Sequence, residues 1–249
     1  MRASNARPRL RRGRSAKLLR EVCRSYVVGV NVDFEKLRSG RDALSDSGSL
    51  DFICADAAYL PLRDSSINSV TAVLTLHEVD EAAIDRVLEE VCRVLRSNGD
   101  FLIIDKVLTT FESPAEELAV MTEFAYHKAL EHVHGVRAWG VREVDEVIEK
   151  VISKNFRAVS RELVVAGEWM TGEEFLASWG KDTVKPTQKI RSEAKRRELQ
   201  ELIRKIKDTA RKHGYVPVKV LVAYFKNLKD LQAKYICFLY NKKLESINQ

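Results

Sequence analysis

The hydrophobic pattern is clearest between Asp51 and Lys106, where apolar runs alternate with one segment of helical periodicity. Three runs have the length and composition of strands: Phe52–Ala55, Ser69–Leu76 and Phe101–Ile104. Apolar residues recur at three- and four-residue steps over Asp80–Leu95, which predicts a helix with Asp80 as its N-cap. Asn98-Gly99 predicts a turn before the third strand. This alternation is typical of a parallel sheet with crossover helices, so we expect an α/β fold.

The rest of the chain carries further elements of both kinds. Before Asp51 the pattern predicts a short helix capped by Ser15, a strand buried on both faces and a second helix, at Ser15–Arg24, Tyr26–Val32 and Phe34–Leu44. After Lys106 it predicts two helices, a strand, a short helix with a capping box, a long basic helix and a last strand: Ser113–His132, Val144–Val151, Phe156–Val165, Thr171–Trp179, Thr187–Lys212 and Val216–Phe225.

Polar side chains follow the three strands of the central stretch. They are Asp56 after the first strand, Thr75, His77 and Glu78 after the second, and Asp105 and Lys106 after the third. In parallel sheets, ligands bind beyond the carboxyl ends of the strands. The pattern therefore predicts a ligand site at this edge of the sheet.

The composition is that of a globular protein, with 45% hydrophobic and 31% charged residues among 249. No apolar run approaches the ~18–20 residues needed to cross a bilayer, and the basic start lacks the apolar segment of a secretory signal. Four cysteines lie far apart without a C-x-x-C pair, at Cys23, Cys54, Cys92 and Cys237. We therefore expect a soluble, cytoplasmic protein with buried, reduced thiols.

The net charge of +6 is unevenly distributed. Eight basic residues precede the first acidic one, Glu21, and a second basic zone covers Lys181–Lys212. Either zone could contact RNA, another polyanion or an anionic membrane, or could be a solvated helix face. Aromatic residues are not interleaved with these charges, as they would be in a single-strand-binding groove.

The order of motifs resembles class I S-adenosylmethionine-dependent methyltransferases, most closely the type 11 group. The motifs are D-A-x-x-L-P-L at Asp56–Leu62, D-S-S-I-N-S-V at Asp64–Val70 and V-L-R-S-N-G-D-F-L-I-I at Val94–Ile104. The resemblance implies a Rossmann-like, doubly wound and mostly parallel sheet with an inserted helical lid region. It implies a cofactor-binding core at 13–108, a variable acceptor and lid region at 109–215, a late core strand at 216–225 and a tail at 226–249.

The resemblance also assigns roles in binding S-adenosylmethionine. Asp56 and Ala57 would bind the adenine, and Thr75, Leu76 and His77 would border the methionine end. Gly13 would lie in a glycine-rich turn, where a missing Cβ allows close approach to a ligand. The Gly29-Val30-Asn31 segment falls where the family has an acidic residue that binds the ribose, and Asp33 could substitute for it.

Two features depart from the family pattern. The stretch before Gly13, Ala6–Arg12, is basic and contains Pro8, which a central strand does not tolerate, so the first strand is atypical or missing. Loss of that strand would leave its neighbours unpaired. Asn31 replaces a carboxylate, and a neutral hydrogen bond is roughly half as strong as a charge-assisted one. The second departure predicts weaker cofactor binding.

His77 is the candidate catalytic base because it follows a strand at the ligand edge; the alternative is that it only shapes the cofactor pocket. His127 and Glu131 lie one helical turn apart, a spacing that could bind a metal, but H-x-x-x-E is a weak pattern and no metal is predicted. Four aromatic residues could line an acceptor pocket or pack in the core: Tyr126, Trp139, Trp169 and Trp179.

These observations favour a methyltransferase for a small-molecule acceptor, with Phe111–Trp179 shaping the acceptor site. Two alternatives stay open. One is a methyltransferase-like domain with impaired cofactor binding that serves as an interaction module. The other is an RNA-directed methyltransferase that uses the basic helix Thr187–Lys212.

Overall fold

A computed structural model describes residues 18–19, 21–22, 24–42, 49–165 and 167–229. The chain divides into two compact units, residues 1–63 and 64–249. Gly13, Ser15, Cys23, Cys237, the arginine-rich start and most of the predicted tail lie outside the described residues. No helix within the described part of the chain is long and apolar enough to span a membrane.

The first unit contains a two-stranded parallel sheet. Strand β1 (Val27–Asn31) pairs in register with β2 (Leu50–Cys54), so that Val27 lies opposite Leu50 and Asn31 lies opposite Cys54. Helix α1 (Phe34–Asp42) connects them. Parallel strands need such a crossover, because a tight hairpin would make them antiparallel.

Two predictions about burial in this unit are wrong. Strand β1 is not buried on both faces: its residues are only partly buried, because β2 is its sole strand partner among the described residues. Cys54 is exposed, since it lies at the carboxyl end of β2, whereas Cys92 is buried as expected.

The second unit is built on a mixed sheet of five strands. They are β3 (Ile67–Val73), β4 (Leu95–Leu108), β5 (Arg142–Glu143), β6 (Phe156–Val165) and β7 (Lys219–Asn227). The order is β3-β4-β7-β6; β3 is parallel to β4, whereas β7 is antiparallel to both of its neighbours. The short strand β5 lies beside the end of β4 and pairs with it in parallel. Thus β6, from the predicted lid region, is an edge strand of the main sheet.

Six α-helices in the described part of the second unit surround this sheet or pack beside it. They are α2 (Ile84–Val94), α3 (Pro114–His134), α4 (Val144–Ile152), α5 (Gly172–Ser178), α6 (Lys181–Gln188) and α7 (Glu193–His213). Ser113 caps α3 by accepting the N–H of Glu116, and Thr171 and Glu174 form the predicted capping box of α5. These caps satisfy backbone donors that lack partners within the helix.

Three predicted boundaries are wrong. Helix α2 begins at Ile84 rather than near Asp80, because Asp80 forms a β-bridge with Ala138. The predicted turn at Asn98-Gly99 lies inside β4, where Asn98 has a φ of 58° and the register against β3 shifts. The helix predicted over Thr187–Lys212 begins later, at Glu193, because Ser192 caps α7; Thr187 and Gln188 end the preceding helix α6.

The second unit has two apolar cores. In the sheet core the ring centroid of Phe101 lies 5.3 Å from that of Phe156 and 6.1 Å from that of Phe225. In the helical core α3, α5 and α7 bury Leu118, Ala125, Ala129, Phe175, Leu199, Ile203, Ile206 and Ala210. Near the carboxyl ends of β4 and β3, Glu123 of α3 pairs with Lys106, and His127 of α3 lies 3.6 Å from Glu78.

Strands β1 and β3 each have a single strand partner in the described part of the chain. Among the described residues, β1 pairs only with β2, and β3 pairs only with β4. The stretch before Gly13, where the sequence predicts an atypical or missing first strand, lies outside the described residues.

Candidate functional site

A short turn after β3 carries three of the predicted site residues. Leu76–Glu78 forms a single 3₁₀ turn, preceded by Leu74 in the left-handed region with a φ of 48°. A left-handed φ is uncommon for a leucine, and such strained positions cluster at functional sites. The turn brings Leu76 and His77 into the protein interior and leaves Thr75 exposed.

The buried carboxylate of Asp105 holds this turn in place. Its Oδ2 accepts the backbone N–H groups of Thr75, Leu76 and His77 at 3.3, 2.6 and 3.3 Å. Its Oδ1 accepts a hydrogen bond from Nδ1 of His77 and from the N–H of Lys106. Asp105 is 3% exposed, so these donors replace the water that a buried carboxylate needs.

His77 is buried between two carboxylates. Its Nδ1 faces Asp105, and its Nε2 lies 3.3 Å from Oε1 of Glu78. Burial by itself would lower the pKa of His77, but the hydrogen bonds to Asp105 and Glu78 outweigh it and raise the pKa to about 9. At neutral pH the imidazole is therefore mainly protonated, which suits a hydrogen-bond donor or acid better than a base.

Glu78 and His127 complete a compact cluster. Nε2 of His127, which comes from α3, lies 3.6 Å from the same Oε1 of Glu78, and the two imidazole rings are 5.9 Å apart. Burial would raise the pKa of Glu78, but His127 and His77 together hold it well below its usual value. Nε2 of His127 is buried and has no hydrogen-bond partner among the described residues.

A cavity of about 300 Å³ opens beside this cluster. Glu78, Lys106 and Glu123 supply charged groups to its wall, and Tyr126, Trp179 and Tyr215 supply aromatic rings. Nζ of Lys106 lies 2.7 Å from both carboxylate oxygens of Glu123, and this ion pair forms part of the cavity wall. Of the four aromatic candidates, Tyr126 and Trp179 line the cavity, whereas Trp139 is buried and Trp169 is exposed.

The predicted adenine and ribose residues lie in the first unit, at the carboxyl ends of β1 and β2. Oδ1 of Asp56 accepts the N–H of Ala58 at 2.9 Å, which orients the carboxylate at the strand end, and Ala57 follows in the same turn. Oδ1 of Asn31 accepts the N–H of Asp33 at 2.8 Å. This bond uses one of the two lone pairs of the Asn31 amide oxygen.

Asp33 and Gly29 have local structural roles in this unit. Asp33 accepts the N–H of Lys36 at the start of α1, and this bond is the main reason why its pKa is lowered. Gly29 lies within β1, where a Cβ would come within 2.7 Å of the Phe52 ring. The turn that contains Gly13 is outside the described residues.

The structure thus groups the predicted residues into two sets that belong to different units. Asn31, Asp33, Asp56 and Ala57 share the end of one sheet, and Thr75, Leu76 and His77 share the turn that Asp105 holds. The sequence pattern predicts Asp105 and Glu78 at the ligand edge but indicates no role for them. Helical spacing pairs His127 with Glu131, whereas the structure places His127 beside His77 and Glu78.

Comparison with known families identifies the central stretch. Residues 11–103 match the model of a methyltransferase domain. The ubiquinone/menaquinone biosynthesis C-methyltransferase UbiE of Pseudomonas paraeruginosa is 31% identical over 107 residues, which is 42% of this chain and 39% of that protein. The match therefore spans about two fifths of the length of this curated relative.

Two solved structures with other reported activities have a similar fold. The [4+2]-cyclase SpnF aligns over 86% of this chain and 70% of its own, with a TM-score of 0.54 and 16% identity. A geranyl diphosphate methyltransferase in complex with S-adenosylmethionine aligns over 87% of this chain and 74% of its own, with a TM-score of 0.51 and 10% identity. At these identities the likeness concerns the fold, and the similarity to a methyltransferase domain concerns residues 11–103. Residues 11–103 are therefore similar to a methyltransferase domain, and the chain shares the Rossmann-like α/β fold of solved methyltransferase structures.

Proposed function

We propose that this protein is an S-adenosylmethionine-dependent methyltransferase that acts on a small molecule held in the cavity beside His77 and Glu78. The observation that carries the proposal is the position of this cavity. It opens at the carboxyl ends of β3 and β4, next to the turn Thr75–His77, which we infer borders the methionine end of the cofactor. Ligands of open α/β sheets bind at such strand ends.

When bound, the cofactor supplies an electrophilic methyl group on a sulfonium, and the protein must orient the acceptor and exclude water. Asp56, Ala57 and Asn31 would bind the nucleoside, and the turn Thr75–His77 would border the methionine. The rigid hydrogen bonding of that turn to Asp105 suits a positioning role, since it needs no rearrangement when a ligand binds.

The size and wall of the cavity favour a small, partly polar acceptor. About 300 Å³ is at the lower end of the range for small-molecule pockets. The Lys106–Glu123 pair and Glu78 could bind polar groups, while Tyr126 and Trp179 could stack on a planar or hydrocarbon part. The names of the quinone-biosynthesis relative and the geranyl diphosphate enzyme agree with a small-molecule acceptor.

Calorimetric titration of the full chain with S-adenosylmethionine and its demethylated product tests the proposal. We expect micromolar binding, and we expect Asp56→Ala to weaken it about tenfold through loss of a charge-assisted hydrogen bond. Asp42→Ala is the matched control, because this exposed carboxylate at the end of α1 pairs with the neighbouring Arg41. Absence of heat with both ligands in a folded sample would overturn the proposal.

A second candidate is a methyltransferase-like interaction module that has lost cofactor binding. The observation in its favour is that Asn31 replaces a carboxylate and that its carbonyl oxygen already accepts the N–H of Asp33. In Asn31→Asp one oxygen could keep this bond while the other accepts a ribose hydroxyl. A weakened enzyme should bind the cofactor about tenfold more tightly after this change, whereas a module without a working site should show no gain.

A further inference from the structure

We propose that His77, Glu78 and His127 form a site for one divalent metal ion of the zinc class, with its open coordination position facing the cavity. Two imidazoles and one carboxylate are a donor set typical of catalytic zinc sites, in which three protein ligands leave a fourth position for water or substrate. Metal binding at this site does not depend on the proposed methyl transfer.

The spacing of the three side chains fits a single ion. One potential ligand atom from each residue lies within 4.8 Å of the other two. Oε1 of Glu78 is 3.3 Å from Nε2 of His77 and 3.6 Å from Nε2 of His127. Tetrahedral ligands at about 2.0–2.2 Å from zinc are about 3.3–3.6 Å apart, so these two separations already match.

Asp105 provides the outer support that a metal-binding histidine usually has. It accepts the hydrogen bond from Nδ1 of His77 and thereby directs Nε2 toward Glu78 and His127. Ligating histidines commonly donate their second N–H to a carboxylate, which fixes the ring and makes the ligating nitrogen more basic. A metal ion would displace the proton that Nε2 of His77 otherwise carries at neutral pH, because only a neutral imidazole binds a metal. Asp105 is in turn fixed by the backbone N–H groups of the turn, so His77 is held rigidly before any ion binds.

The unsatisfied nitrogen of His127 is the independent observation. The side chain is 11% exposed, and its buried Nε2 is directed toward Glu78 without a hydrogen-bond partner in the described part of the chain. A buried polar atom without a partner is costly, and a coordinated ion would satisfy it. His132 on the same helix also has a buried Nε2 of this kind, but it is not a member of the cluster around Glu78.

The chemistry of the open position follows from the cavity. Glu78 is the ligand that is also part of the cavity wall, so an ion bound to it would face a molecule held there. Zinc binds oxygen and sulfur donors and lowers the pKa of a bound hydroxyl or thiol. The site therefore suits a ligand that carries a hydroxyl, enol or thiol group, with Lys106 near enough to contact a neighbouring anionic group.

Metal content of the full chain, expressed without a polyhistidine tag, tests the site. After chelator treatment and reloading with zinc, we expect one ion per chain by elemental analysis, and we expect cobalt(II) to give the visible absorption of a four-coordinate site. His127→Gln should weaken zinc binding at least a hundredfold. His132→Gln, which changes the same type of residue on the same helix, should bind zinc as the unmodified chain does.

Circular dichroism shows whether each variant is folded. If His127→Gln is unfolded, Glu78→Gln replaces it, because the Glu78 side chain is exposed and its substitution disturbs the fold less. This variant should also weaken zinc binding. Less than one tenth of an ion per reloaded chain would overturn the proposal, as would full zinc binding in both folded variants. Cofactor titration of the metal-free chain distinguishes failure of this site from failure of the proposed methyltransferase activity.

Discussion

At the scale of single residues, Asp105 connects the fold to the candidate site. One buried carboxylate accepts three backbone N–H groups of the turn after β3 and also orients His77. Its neighbour in the same strand, Asp100, contacts Lys226 and Tyr224 and has a side chain that is 39% exposed. The two residues therefore let the same chemical change be compared in a buried and an exposed setting.

We expect Asp105→Asn to lower the free energy of unfolding by about 3 kcal/mol, because an amide oxygen is a weaker acceptor and its NH₂ group faces donors. Asp100→Asn should cost at most about 1 kcal/mol, since water can replace its exposed contacts. Denaturant titration of the metal-free proteins measures both values. Equal losses in the two variants would contradict the role assigned to Asp105.

The chemistry at this edge could be predicted from the sequence only in part. Polar residues after each strand marked the ligand edge, because parallel strands end on the same side of a sheet. The bonds from Asp105 to Leu76 and His77 join positions 29 and 28 residues apart, and no local pattern encodes them. Helical spacing groups His127 with Glu131, but the packing of α3 directs it toward Glu78, after the end of β3.

At the scale of elements, the contact between α5 and α7 depends on Gly172. A Cβ at this position would lie 2.3 Å from the carbonyl oxygen of Ala210, which is closer than real Cβ contacts. Gly172→Ala should therefore push the helices apart and destabilise the protein by about 3 kcal/mol. Thermal or denaturant unfolding measures this loss.

Gly135, at the end of α3, is the matched control for this substitution. It has a φ of 73°, and a Cβ added there would have no described atom within 4 Å. Gly135→Ala should therefore lower the free energy of unfolding by only about 1 kcal/mol, the backbone cost of a left-handed alanine. If the two alanine variants lost similar stability, close packing between α5 and α7 would not be the cause.

The bounds of an element could be predicted accurately where they depend only on residues close together in the sequence. The strand Phe156–Val165 and the capping box at Thr171 are both confirmed, because β-branched composition and cap chemistry act over a few residues. Boundaries decided by distant partners could not be predicted. The pairing of Asp80 with Ala138 delays the start of α2, and Ser192 interrupts a basic amphipathic pattern that continues on both sides.

At the scale of the whole molecule, the buried core is distributed unequally between the two units. Three described residues of the first unit are buried, namely Leu37, Gly40 and Ala58. In the second unit the centre of β4 buries Phe101 and Ile103 completely between β3 and β7. Two-stranded sheets are marginally stable by themselves, whereas a central strand with a buried face resists opening.

We therefore expect the backbone amides of β1 and β2 to exchange with solvent at least a hundredfold faster than those of Phe101–Asp105. Hydrogen exchange of the intact chain, followed by mass spectrometry of its peptides, measures both segments in one sample. The reason is energetic: opening β1 exposes only partly buried side chains, but opening β4 exposes the aromatic core around Phe101. Equal protection of the two segments would show that the units open together and that the paired strands of the first unit do not form a separate, weaker unit.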